Sequence, residues 1–131
     1  MGDPVITNLQ KSSLVINDAV YVDEIFTGGA DILLANTILA RDSVSGLLVL
    51  FVKGGTTTGN GIPKCILAVA TTIGATDQTV RVLQTGTVRE DQLVIDADGD
   101  ASNVDGAVRD QLRDYKIDVK PVQELNILDN Q

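Results

Sequence analysis

The segment that decides the fold reads IPKCILAVA over residues 62–70 and contains the only cysteine of the chain. A short, continuous apolar run bounded by proline and polar residues predicts a fully buried strand, with Pro63 at its entrance. Lys64 is adjacent to Cys65, but neighbours on a strand point to opposite faces, so the lysine projects away from the thiol whose pKa it would have to lower. We therefore expect Cys65 to act as a small hydrophobic core residue.

Strand patterns flank this segment on its N-terminal side. Residues 14–27 are rich in branched and aromatic residues and end at a glycine pair, which predicts one bent strand or two short ones. The segment of residues 31–52 is ambiguous at its start, because Ile32, Leu33, Asn36 and Leu39 could also mark a helical turn. The turn residues at 42–46 then separate two apolar runs, which predicts a hairpin.

On the C-terminal side, residues 78–88 alternate and predict a half-buried strand with a kink at Gly86. Its two faces are expected to hold Val80 and Val82 on one side, and Thr79, Arg81 and Leu83 on the other.

One helix is predicted, in the C-terminal half. Ser102 and Asp105 have the spacing of a capping box, and apolar residues recur at helical spacing as far as Tyr115. We expect this helix over about residues 103–115. The alternating segment that follows stops at Pro121 and predicts an edge strand. The fold class is therefore α+β and mainly β, a small single-domain sheet or barrel-like fold.

The composition restricts the chemistry available to the protein. The 131 residues carry a net charge of −8 and no histidine, so Ser-His or Cys-His pairs and the common zinc sites are excluded. Lys and Arg form no stripe that could neutralise phosphates, which argues against a nucleic-acid partner. A single cysteine cannot form an internal disulfide, and no apolar run is long enough to span a membrane. We expect a soluble protein made in a reducing cytosol.

Two loops invite comparison with ligand-binding motifs. Gly54 and Gly59 have the spacing of a phosphate-binding loop, but Asn60 occupies the position of the essential lysine, so we expect a flexible surface loop at residues 53–61. Residues 96–100 alternate acids as calcium loops do, but Ala101 and Ala107 occupy the positions that need glycine and glutamate. A solvated turn before the helix is the simpler interpretation. We predict no metal and no cofactor.

Other acidic residues give no clear catalytic pair. Glu24, Glu90 and Asp91 could in principle act as acid and base, but nothing in the sequence fixes their separation, and surface solubility explains them equally well. We therefore predict no catalytic residues and no enzymatic activity.

The N-terminal segment is the remaining candidate for a binding function. Residues 1–12 lack sustained periodicity and are expected to form a flexible arm, followed by one domain over residues 13–131. Val5, Ile6 and Leu9 give the arm apolar side chains to bury if it becomes ordered against a partner. A leader without any role is the equally weighted alternative.

Three segments of the chain carry a family resemblance. They are IPKCILAVATTIGATDQTVRVLQTGTVREDQLV at residues 62–94, ADILLANTILARDSVSGLLVLF at residues 30–51 and VRDQLRDYKIDV at residues 108–119. Together they resemble the lambda-type bacteriophage head decoration proteins over about residues 14–120. One departure is Cys65, which stands where the family usually has glycine and raises the question of how closely its strand approaches its neighbour.

The resemblance implies a capsid-stabilising protein of the phage head. Such a protein binds the expanded capsid as a homotrimer at three-fold and quasi-three-fold positions, with the arm ordered against the major capsid protein. The partners would be that capsid protein and the chain itself, with no nucleic acid and no membrane. The location would be the outer surface of the virion head, after assembly in the host cytoplasm. Our capsid-contact residues are Val5, Ile6 and Leu9.

Two functions from other classes remain as alternatives. One is a trimeric β-rich enzyme of nucleotide metabolism, which would need an Asp, Tyr and Ser cluster around a nucleotide that no segment offers. The other is an acidic calcium-binding module centred on residues 96–105, which would gain thermal stability in calcium.

Overall fold

The computed structural model describes residues 14–121. In that range the chain forms one α-helix, α1 (Gly106–Arg113), a 3-10 turn at Glu90–Gln92, and eight strands. The strands are β1 (Val15–Phe26), β2 (Asp31–Leu33), β3 (Ile38–Arg41), β4 (Leu48–Leu50), β5 (Pro63–Leu67), β6 (Thr71–Ile73), β7 (Gln78–Arg89) and β8 (Ile117–Lys120). The prediction of a mainly β protein of the α+β class is confirmed.

Most strands belong to one closed sheet. Its order is β1-β4-β3-β5-β7-β8, and β1 also pairs with β7. Strands β1, β4, β3, β5 and β7 therefore close into a ring, and β8 lies outside it. The barrel-like prediction is therefore confirmed, and closure removes most of the edges that an open sheet would expose. Strands β2 and β6 form a separate antiparallel ribbon. The ambiguous start of the segment is therefore strand at Asp31–Leu33, followed by a turn before β3, and not a helical turn through Leu39.

The hairpin between β3 and β4 forms where its turn residues predict it. The Asp42 carboxylate accepts hydrogen bonds from the backbone N–H groups of Val44 and Ser45 at 2.8 and 3.0 Å. Gly46 then takes a φ of +78°, which glycine adopts at little cost, and donates its N–H to the Asp42 carbonyl oxygen. Local side-chain chemistry thus fixes this turn.

Two hydrophobic clusters fill the molecule on opposite sides of the sheet. The inner core draws residues from all five ring strands and therefore fills the ring; it consists of Phe26, Leu33, Leu39, Leu48, Cys65, Leu67, Ile73, Val80 and Val82. The outer core covers the other face of β3, β5 and β7 and includes Ile38, Ile66, Leu83, Val88, Val108, Leu112, Ile117 and Val119. Helix α1 and strand β8 thus act as a lid on one side of the ring.

Strand β7 lies against β1 without room for a side chain at Gly86. This residue has a φ of +149°, and a Cβ atom built on it would lie 2.9 Å from the Cα atom of Ala19 in β1. Both facts require glycine, because a side chain would be strained and would overlap the neighbouring backbone. The predicted kink at Gly86 is consistent with the shift of register between β1 and β7 at this level.

Two strand predictions need correction. The fully buried strand predicted for the segment CILAVA ends at Leu67, and Val69 is 58% exposed, because the chain leaves the ring there and turns toward β6. The strand predicted as half-buried is covered on both faces in its middle, since Val82 faces the inner core and Leu83 the outer core. The sequence does not reveal that a second layer lies over this part of β7.

The predicted helix is too long and its cap is misplaced. Helix α1 covers eight residues rather than the expected 103–115, and its N-cap is Asp105, whose carboxylate accepts a hydrogen bond from the Val108 N–H at 3.2 Å. The Ser102 N–H instead bonds to the Asp100 carboxylate, in a turn that precedes the helix. No helix in residues 14–121 is long and apolar enough to cross a membrane.

Candidate functional site

Cys65 lies in the inner core, on a strand that pairs with β3 and β7. It is 4% exposed. Burial raises the pKa of its thiol to about 12, and the Glu24 carboxylate adds to this rise while Arg41 opposes it. Because the thiolate is the nucleophilic form, this environment keeps the sulfur inert at neutral pH. The prediction that Cys65 is a core residue is confirmed.

An ion pair lies beside this thiol. The Arg41 guanidinium donates two hydrogen bonds to Glu24, at 3.2 and 2.8 Å, and this contact raises the pKa of Arg41. Both residues line a cleft of about 400 Å³ together with Cys65, Lys64 and Tyr115. The Lys64 ammonium group lies 3.9 Å from the centre of the Tyr115 ring, so the lysine is held by an aromatic face rather than by the sulfur.

The other two acids considered as catalytic partners bind arginines elsewhere. Glu90 pairs with Arg109 of helix α1, and Asp91 pairs with the buried Arg89 through two hydrogen bonds of 2.9 and 3.2 Å. Each carboxylate therefore neutralises a cation at the surface of the outer core. Glu24, by contrast, pairs with Arg41. The three acids therefore bind three different arginines, and the structure does not join them as the hypothetical acid/base pair.

The acidic turn before helix α1 uses its carboxylates for local structure. Hydrogen bonds from the Ser102 side chain and from its N–H lower the pKa of Asp100, the side-chain bond the more. Asp105 caps the helix and pairs with Lys53 at 2.7 Å, and both contacts lower the pKa of Asp105, that with Lys53 the more. Burial and the nearby Asp31 raise the pKa of Asp96. No group of three or more potential ligands for a metal ion occurs within the described range.

The glycine-rich loop lies at the surface, as predicted, and forms one wall of a groove. The groove has a volume of about 1060 Å³, and its other walls are Ile95, Ala97 and the Ala107 and Gln111 side of helix α1. Inside the loop, the side chain of Asn60 accepts a hydrogen bond from the Thr57 N–H. Asn60 thus closes the loop on itself, at the position where a phosphate-binding loop would present lysine.

The predicted capsid-contact residues Val5, Ile6 and Leu9 lie outside the described residues, and so does the arm at residues 1–12 that contains them. The described chain shows another exposed apolar surface, on β1, that the sequence analysis did not single out. Four of its large apolar side chains are 39–49% exposed: Ile16, Val20, Tyr21 and Ile25. The only sequence signal was an apolar strand without clear alternation, which a two-sided core would also produce.

Comparison with known proteins identifies the family. The family model described as bacteriophage lambda head decoration protein D matches residues 15–117, which include the closed ring, α1 and the first residue of β8. The chain belongs to this head decoration protein family. No curated protein matches the chain significantly.

Family membership gives the general class of this head decoration protein. The family consists of structural phage capsid proteins and is not an enzyme family, and its members bind the phage capsid and are part of the virion. In this head decoration protein, Cys65 pairs with Leu39 of β3. Its side chain is accommodated in the inner core, so the strand keeps its place in the ring.

Proposed function

We propose that this head decoration protein binds the expanded phage head as a homotrimer at three-fold and quasi-three-fold positions and stabilises the shell. The family match over residues 15–117 is the observation that carries the proposal. A ligand that binds only the intact head shifts the equilibrium away from rupture by mass action. A trimer that touches several capsomers also gains avidity from weak individual contacts.

The N-terminal arm is the proposed contact with the major capsid protein. Val5, Ile6 and Leu9 supply apolar side chains, and an extended arm can add backbone hydrogen bonds to a sheet edge on the shell. The arm at residues 1–12 and the domain at residues 13–131 then have separate tasks. The arm binds the shell, and the domain forms the trimer on the outer surface of the head after assembly in the host cytoplasm.

Binding to expanded empty heads of its own phage tests the proposal. The purified protein is expected to co-sediment with the heads and to raise the temperature at which they rupture. Its mass in solution and on the head gives the number of copies in each complex. Absence of both binding and protection would overturn the proposed function.

A truncated chain that starts at Ser13 tests the arm separately. It is expected to keep the melting temperature of the full chain, because the described fold begins at Leu14. Its affinity for heads is expected to fall. The matched control replaces Val5, Ile6 and Leu9 by serine in the full-length chain, which keeps the length of the arm but removes its apolar side chains. Unchanged affinity in both variants would remove the arm from the interface.

A further inference from the structure

One edge of β1 has no neighbouring strand in the described range. Strand β1 pairs with β7 along its length, but it pairs with β4 only at Phe26 and Leu48. The remaining ring strands β3 and β5 do not pair with β1. Sheet edges of this kind present backbone donors and acceptors in the geometry that another strand needs.

The hydrogen bonds of the neighbouring residues show which backbone groups face this edge. The Thr27 N–H donates to the Leu48 carbonyl oxygen at 3.0 Å, so odd-numbered residues in this part of β1 direct their backbone groups toward the β4 side. Arg81 of β7 lies opposite Asp23 in the register, and its carbonyl oxygen accepts a hydrogen bond of 2.9 Å from the Ala68 N–H, on the side of β7 that faces away from β1. Asp23 and, by alternation, Tyr21 therefore point their N–H and C=O groups to the open side.

This part of the edge is regular and carries side chains suited to pairing. All register shifts between β1 and β7 lie N-terminal of Tyr21, so the five residues from Tyr21 to Ile25 pair without interruption. Tyr21 and Ile25 are exposed apolar side chains next to the open edge. Strand β1 contains no proline and no lysine, two devices that commonly protect sheet edges.

The charge of β1 indicates what kind of strand fits. Its sequence contains three acids and no cation, and cations of neighbouring strands pair with two of these acids: Arg81 with Asp23 and Arg41 with Glu24. The Asp23 carboxylate stays 60% exposed, so an incoming cation can share it, whereas a second copy of a protein of net charge −8 is opposed by its like charge. A strand with Lys or Arg opposite Asp23 and with branched or aromatic residues beside Tyr21 is complementary.

The point at which the arm joins the described chain connects this edge with the proposed shell contact. Residues 1–13 join the described chain at Leu14, whose carbonyl oxygen accepts from the Arg89 N–H at 2.9 Å at the start of β1. A shell contact made by the arm would therefore lie at the N-terminal end of the strand that carries the open edge.

We propose that an extended, basic segment of the capsid shell pairs with β1 at Tyr21 and Asp23 and adds a strand to the closed sheet. This inference rests on the proposed shell-binding function and extends the contact from the arm to the folded domain. Backbone hydrogen bonds contribute affinity in this mode of recognition, and the alternating side chains contribute specificity.

Amide hydrogen exchange on the unmodified protein tests the pairing directly. In the free protein, the Tyr21 and Asp23 amides are expected to exchange rapidly, whereas on heads their exchange slows. Exchange on heads as rapid as in the free protein would overturn the inference. So would protection already present in the free protein that increases with its concentration, because a second copy would then occupy the edge.

A matched pair of variants tests the backbone donor. Asp23→Pro and Asp23→Ala both remove the carboxylate and its exposed ion pair with Arg81, but only proline also removes the N–H. Because that N–H faces the open edge, both variants are expected to melt alike. Heads should bind Asp23→Pro at least about fivefold more weakly than Asp23→Ala, the effect of one net hydrogen bond. Equal affinities of two folded variants would contradict the inference.

The two proposals fail in distinguishable ways. If the unmodified protein does not bind heads, the proposed function and the edge pairing are both overturned. If it binds and protects the heads while Tyr21 and Asp23 exchange as in solution, only the edge pairing is overturned. If Asp23→Pro does not fold, the exchange of the unmodified protein decides.

Discussion

Strands β1 and β7 have the same length and pair with each other, yet they play opposite roles. Of twelve residues each, β1 contains eight apolar ones and β7 only four. All four apolar residues of β7 are buried, whereas Phe26 is the only buried residue of β1. Burial in this sheet is therefore set by the neighbours of a strand and not by its hydrophobicity.

The neighbours differ on both edges and faces. Strand β7 has β1 on one edge, β5 and β8 on the other, and a hydrophobic cluster on each face. Strand β1 has β7 along one edge and β4 only at the end of the other, and apart from Phe26 its residues are at most partly buried against the two clusters. The difference indicates that β7 holds the fold together, while β1 leaves apolar side chains and one row of backbone groups exposed.

The largest expected effect is the loss of a β7 side chain. Leu83→Ala is expected to lower the free energy of unfolding by about 2–5 kcal/mol, because Leu83 is fully buried in the outer core and its removal leaves a cavity. Chemical denaturation measures this. The control is Leu34→Ala, which alters an exposed leucine and is expected to change stability by no more than about 0.5 kcal/mol. Similar losses of stability in both variants would break the distinction between buried and exposed apolar residues.

The next effect concerns the contact between β7 and β1 at Gly86. Gly86→Ala is expected to cost about 2–4 kcal/mol, from backbone strain and from overlap with Ala19. Gly29→Ala is the matched control, because no atom lies near its added methyl group and its φ is not positive. Thermal melting of both variants measures the difference. A stable Gly86→Ala protein would show that β1 moves away from β7 without penalty.

A smaller effect is expected at the layer that covers β7. Asp105→Ala should reduce the melting temperature, because it removes the cap of helix α1, while Ser102→Ala, which removes only a hydrogen bond to Asp100 in the preceding turn, should reduce it less. The pKa of Asp105 is lowered in the folded state, so its contribution is present above the ordinary value of 3.8 and is lost as the pH falls through the folded pKa. Melting curves at pH 7 and below pH 3.8 test this sign. A larger effect of Ser102→Ala would restore the capping box as the start of the helix.

The smallest effect at neutral pH is expected from the chemistry of Cys65. Burial raises the pKa of this thiol, so its contribution to stability is fully present below the ordinary pKa of 9.0. That contribution is lost as the pH rises from there toward about 12. A thiol reagent at pH 8 is therefore expected to modify the protein only as fast as it unfolds. Denaturant series of the modification rate measure this. Rapid modification of the native protein would show that the inner core is open at β5.

The sequence was sufficient where local chemistry decides the structure. The Asp42 to Gly46 turn, the burial of Cys65 and the strand that stops before Pro121 all follow from residue types over short distances. The helix was placed in the correct region, but with the wrong cap. Ser102 and Asp105 both have capping chemistry, and only the path of the chain shows that Asp105 faces the first turn.

The candidate surface was predicted less well than the fold. The arm contact was inferred from residues 1–12, whereas the open edge of β1 depends on the missing partner beside Tyr21 and Asp23. That absence is a property of strand order, which joins residues far apart in the chain. The same applies to the Glu24–Arg41 pair, because the two residues meet only when the β3–β4 hairpin lies against β1.

The sequence by itself determined a mainly β fold with a buried cysteine and without histidine-dependent pairs, because residue types, the apolar run around Cys65 and the turn residues act locally. Only the tertiary structure decided that the less apolar β7 becomes the centre and the more apolar β1 becomes the surface. The physical reason is that burial depends on which segments cover a strand. The strand order places β5 and β8 beside β7, the outer core with α1 covers one face of β7, and one edge of β1 stays open over most of its length.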